Sequence, residues 1–76
     1  MIIKEYRIDY KLITPSGKEW DSTTCMTSNG LPIRTLECAE NCRHHVTSYY
    51  IAEGYKILSS KIMFRTITYS DWNEEV

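Results

Sequence analysis

The sequence predicts a two-layer α+β domain: a three-stranded antiparallel sheet, made of a β-hairpin and one long strand, with one helix packed on one face. Three observations predict it. Residues 5–13 alternate polar and apolar, residues 36–53 carry a helical apolar stripe, and residues 55–69 are rich in Tyr, Ile, Phe and Thr. An alternating run is the mark of a half-buried strand, and a 3.6-residue stripe is the mark of an amphipathic helix. At 76 residues the chain makes one small domain spanning 1–76. A domain of this size buries only about 60% of the surface its unfolded chain exposes, so a partner, an oligomer or a metal would add usefully to its stability.

The first strand places Tyr6, Ile8, Tyr10 and Leu12 on one face and Glu5, Arg7, Asp9 and Lys11 on the other. Thr14-Pro15-Ser16-Gly17 follows, with Pro and Gly spaced for a turn. Residues 18–27 then read as a second strand with Trp20, Ser22, Thr24 and Met26 on one parity, which makes a hairpin. Ser28-Asn29-Gly30 ends it, and Pro32 bars an early helix start. Thr35 is the expected N-cap, with Glu37 in the first turn to meet the helix dipole. The helix is expected over 36–53, stopped by Gly54, because glycine alone enters the left-handed C′ conformation without a Cβ penalty. Residues 55–69 form the long strand. Its apolar residues change parity between Ile57 and Leu58 and again between Ile62 and Met63, so a bulge is expected near Ser60. The acidic tail, Asp71-Trp72-Asn73-Glu74-Glu75-Val76, is expected to fray.

Composition narrows the function classes. Nine Lys and Arg stand against ten Asp and Glu, a net charge of -1. A strongly basic nucleic-acid binder carries a positive excess that this chain lacks. No apolar run approaches the roughly 18 residues of a membrane span, and Met1-Ile2-Ile3-Lys4-Glu5 does not read as a secretory signal. Three closely spaced cysteines do not make a disulfide framework, so a reducing cytoplasm is the expected compartment.

Cys38, Cys42 and His45 stand at i, i+4 and i+7 on the helix. With Cys25 they offer a Cys3His zinc set. Three ligands on successive helical turns span about 10 Å, too far for one ion with bonds of about 2.0–2.3 Å. The alternative is a packing seam. A helical wheel puts Cys38, Ala39, Cys42, His45, Val46, Tyr49, Tyr50 and Ala52 on one side, and Glu37, Glu40, His44, Thr47 and Ser48 opposite, with Ile51 the exception. Free Cys behaves as a small buried hydrophobe. The seam accounts for the whole helix, whereas zinc accounts for three residues, so no metal or other cofactor is expected.

Catalytic arrangements are weak. Cys42 and His45 are i, i+3 neighbours, but a nucleophilic pair also needs an oxyanion site and a pocket. No Gly-rich phosphate loop and no converging carboxylate pair is present. The chain is therefore expected not to be an enzyme. Covering one sheet face with one helix leaves the other face open, and Tyr and Trp around the last strand are typical interface anchors. A non-catalytic protein-binding module is the expected function, with Lys61, Arg65, Tyr69 and Trp72 as the partner-binding set. An open sheet edge would also allow a homodimer. Two further readings stay open. One is a single-stranded nucleic-acid-binding domain using the aromatic and basic side chains of the last strand. The other is a small zinc-stabilised domain.

The segments Asp9-Tyr10-Lys11-Leu12-Ile13-Thr14-Pro15-Ser16-Gly17-Lys18-Glu19-Trp20 and Thr66-Ile67-Thr68-Tyr69-Ser70-Asp71-Trp72 resemble small accessory proteins encoded by bacteriophages and prophages. The resemblance implies an inhibitor acting in the host cytoplasm on a host protein, such as a defence system, a polymerase or a DNA enzyme. It carries no functional residue, because no motif matches.

Overall fold

A computed structural model describes residues 2–68. Its elements are β1 (Ile2–Ile13), β2 (Glu19–Thr24), α1 (Leu36–Ala52) and β3 (Lys56–Thr68). They form a three-stranded antiparallel sheet of order β2-β1-β3 with the helix on one face, the expected α+β fold. The expected fraying of 71–76 lies outside the described residues.

The predicted alternation of β1 holds. Ile8, Tyr10 and Leu12 are fully buried beneath α1, and Tyr6 packs against them. The chain then turns at Thr14–Lys18. Thr14 N–H donates to the Lys18 carbonyl at 2.7 Å, Gly17 N–H to the Thr14 carbonyl at 2.8 Å, and Lys18 N–H to Thr14 Oγ1 at 3.1 Å. The second strand is shorter than expected, six residues rather than the whole of 18–27. After Thr24 the chain leaves the ladder and makes a second turn with the same hydrogen bonds. Thr27 N–H reaches the Leu31 carbonyl, Gly30 N–H the Thr27 carbonyl, and Leu31 N–H Thr27 Oγ1. Both turns have the form Thr-x-x-Gly, and in each the threonine hydroxyl satisfies an amide that the turn leaves free. The second turn returns the chain to β1, where Tyr6 N–H donates to the Ile33 carbonyl at 2.9 Å. Ile33 is fully buried there and closes the end of the core.

Thr35 caps α1 as expected: its Oγ1 accepts from Cys38 N–H at 3.1 Å. The helix ends in a Schellman motif. Gly54, at φ +88°, donates to the Ile51 carbonyl at 3.1 Å, and Tyr55 donates to the Tyr50 carbonyl at 2.9 Å. The Tyr50 and Tyr55 rings, 5.1 Å apart, supply the apolar contact of that motif.

The buried stripe of α1 is rotated from the helical-wheel expectation. Ala39 and Tyr50 are buried, and Cys38, Cys42, Arg43, Val46 and Thr47 are half-buried; His45, Tyr49 and Ala52 are exposed. The reason is Tyr10. A buried phenol must pair its hydroxyl, and Tyr10 Oη meets the Arg43 carbonyl and Thr47 Oγ1, each at 3.1 Å. That contact turns the Thr47 side of the helix toward the sheet.

The expected bulge is present two residues before Ser60. Lys11 pairs with Ser59 and Leu12 with Ile57, which leaves Leu58 without a partner and 47% exposed. One unpaired residue inverts the pleat. It allows Ile57 and Ile62, of opposite parity, both to pack against the core.

Candidate functional site

Side chains directly opposite each other in a ladder share a face, and successive residues alternate faces. Asp9 stands opposite Lys61, Arg7 opposite Met63, and Glu5 opposite Arg65. These six side chains therefore lie on the face of the sheet away from α1. So do Asp21, opposite Lys11, and Glu19, opposite Ile13. The two predicted binding residues in the described part of the chain, Lys61 and Arg65, thus share one face. Met63 stands between them, 42% exposed. Tyr69 and Trp72, the other two, lie outside the described residues.

Charge is graded across this face. β2 carries Glu19 and Asp21 and no cation; β3 carries Lys56, Lys61 and Arg65 and no carboxylate. β1 between them is mixed. Arg65 reaches back over β1, with Nη2 2.9 Å and Nε 3.2 Å from Glu5 Oε2. The other Glu5 oxygen is 3.7 Å from Arg34. Asp9 is occupied by Arg7 at 3.2 Å and by the Thr23 hydroxyl at 3.1 Å. Lys61 stands opposite Asp9 without pairing to it, and among the described residues neither Lys56 nor Lys61 has an ion-pair partner.

Two open depressions mark the same face. One, of about 440 Å³, runs from Cys25 and Pro32 across Glu5 and Arg7 to Met63 and Arg65. The other, of about 310 Å³, lies between Asp21, Asp9 and Lys61. The small size of the chain therefore does not by itself exclude a ligand.

The nucleic-acid reading needs aromatic and basic side chains on one surface. Among the described residues of β3 the two kinds stand on opposite faces. Phe64 stands opposite Tyr6 on the helix side of the sheet, with its ring 6.3 Å from that of Tyr6, whereas Lys61 and Arg65 are on the open side. The zinc set is also not assembled. Cys25 is exposed past the end of β2, Cys38 and Cys42 are half-buried on α1, and His45 is exposed with its ring 5.9 Å from that of His44. Among the described residues no three His, Cys, Asp or Glu side chains converge as a metal site. Burial, and then the hydrogen bond and charge of Cys38, push the Cys42 thiol above its ordinary pKa. A nucleophilic cysteine needs the opposite shift.

Sequence reasoning missed Met63 and the depression beside Cys25. The parity of Met63 with Lys61 and Arg65 was a usable signal. The depression was not legible, because the return of Pro32 and Ile33 to β1 forms one of its walls.

Among the described residues no helix is long and apolar enough to cross a membrane. Compared with known proteins, the chain matches no family model, no curated protein and no solved structure.

Proposed function

We propose that the chain is a non-catalytic protein-binding module whose contact surface is the β3 side of the open sheet face. The observation that carries this reading is the line Lys61–Met63–Arg65. It sets an exposed apolar side chain between two cations, on the face that α1 leaves uncovered. A protein interface uses such a patch, an apolar centre with a charged rim. The resemblance to small phage accessory proteins supports a host protein as the partner and inhibition as the effect. The three free thiols fit a reducing cytoplasm.

The test is a photo-crosslinking residue placed at Met63, with one at exposed Glu40 on α1 as the control, in chain added to extract of the native host. The expected result is a discrete protein adduct from position 63 alone, lost in a Lys61→Glu, Arg65→Glu double variant. Equal adducts from both positions, or an adduct indifferent to the charge reversals, would remove the surface from consideration. Retention of the chain on a single-stranded oligonucleotide column, weakening steeply with salt, would favour nucleic acid instead.

A further inference from the structure

The outer side of β3 is distinct from the open sheet face, and the role inferred for it rests on the same protein-binding reading. Among the described residues β3 pairs only with β1, so thirteen residues present a free edge. Unpaired amides and carbonyls along a strand are a template for another strand. Natural edges are blunted by short length, by Pro, by bulges or by charge. The other edge of this sheet follows that rule: β2 is six residues long and carries two carboxylates. β3 follows it poorly. It has no Pro, and its one bulge, at Leu58, lies near the start, leaving Ser59–Thr68 in unbroken register with β1. In that run the cations are Lys61 and Arg65, and Arg65 is drawn inward onto Glu5. Met63 and Phe64 beside them are exposed, the latter by 64%.

We infer that this edge accepts an extended segment of another protein as a fourth strand, with carboxylates at alternate positions and apolar residues between them. Charge selects that occupant. On the open face β3 carries Lys56, Lys61 and Arg65 as cations, with Ser59, Met63 and Ile67 at the other positions, so acids of an added strand are favoured where they stand opposite Lys61 and Arg65. On the helix side Ile62 and Phe64 favour apolar neighbours, with Ser60 and Thr66 flanking them. A second copy paired antiparallel, β3 to β3, in the register centred on Met63 would set Lys61 against Arg65. Such an addition takes affinity from main-chain hydrogen bonds and specificity from alternate side chains.

The experiment uses the full chain and a blocked octapeptide of alternating Glu and Val. Two controls replace Glu with Lys, or methylate alternate backbone nitrogens. The readout is amide hydrogen exchange along β3, with the affinity from isothermal titration. The Glu peptide is expected to slow exchange between Ser59 and Thr66. The Lys peptide is expected to bind roughly five- to tenfold more weakly, the effect of reversing a few cross-strand charges. Lys61→Glu is expected to invert that preference. Equal binding of the Glu and Lys peptides, undiminished binding of the methylated one, or no protection of β3 would overturn the inference. Protection of β3 in the peptide-free chain, with a dimer in sedimentation, would overturn it in favour of a second copy. A crosslink from Met63 to a host protein that leaves β3 amides unprotected would separate the two proposals: the face binds, and the edge does not.

Discussion

The inner stretch of β1, Ile8–Ile13, and its outer stretch, Ile2–Glu5, share one continuous ladder with β3, yet different forces hold them. The inner stretch lies between β2 and β3 with buried side chains beneath the helix. The outer stretch has β3 as its strand partner and lies beyond β2. Its side chains are held by the Glu5 contacts to Arg65 and Arg34 and by Lys4, whose ammonium sits 5.2 Å from the centre of the Phe64 ring. Strand length is therefore a poor guide to stability here. Strand pairing runs the whole way but for the bulge at Leu58, whereas burial covers only part of it, so the outer stretch is expected to open before the core does.

The largest contrast should come from paired truncations. Leu12→Ala removes a fully buried side chain and is expected to cost about 2–5 kcal/mol, enough to unfold much of so small a domain. Phe64→Ala, in the outer region, should cost less than about 1 kcal/mol. Urea unfolding measures both, and comparable losses would mean that the outer stretch is part of the core after all. Next in size is Tyr10→Phe, which strips the hydroxyl that meets Arg43 and Thr47. It is expected to cost about 1–2 kcal/mol. If the same substitution also left His45 and Ala52 as exposed as before by solvent labelling, the helix rotation would have another cause. A smaller effect is expected from Arg65→Ala, under about 1 kcal/mol and shrinking with salt, since the pair it breaks is exposed.

The smallest effect is a pH dependence confined to the inner region. The Cys42 thiol is pushed above its ordinary 9.0 in the fold, so the folded chain holds that proton more tightly than the unfolded chain. The contribution is complete below the unfolded-state pKa and is lost as pH rises toward the folded one. The urea midpoint of the parent chain should therefore fall more steeply above pH 9.0 than that of a Cys42→Ala variant. Parallel curves would show that burial leaves this thiol untouched.

Much of the fold was legible because local signals agreed with one another. Thr35 and Gly54 bracket the helix as their chemistry dictates, and the alternation of β1 names its own buried face. What was not legible came from contacts distant in sequence. The helix orientation follows from one hydroxyl on β1, and the early end of β2 follows from the second Thr-x-x-Gly turn. The repeat itself, Thr-x-x-Gly at 14–17 and at 27–30, stands in the sequence. Ile33, an apolar residue between Pro32 and Arg34, belongs to no periodic run, so nothing nearby marks it as core. For the site, parity joined Lys61 to Arg65, but the graded charge of the open face depends on strand order, which only the folded sheet supplies.

The unpaired Leu58 has a consequence for how this chain tolerates changes in length. Removing it would leave every other partnership intact: Ser59 would still face Lys11, Ile57 would still face Leu12, and Lys56 would still face Ile13. Removing Met63 instead makes one side of the strand slide by one, so that either Ile62 or the residues after the gap change face. The start of β3 thus carries one residue of slack, held in the residue that the ladder skips, and the rest of the strand carries none.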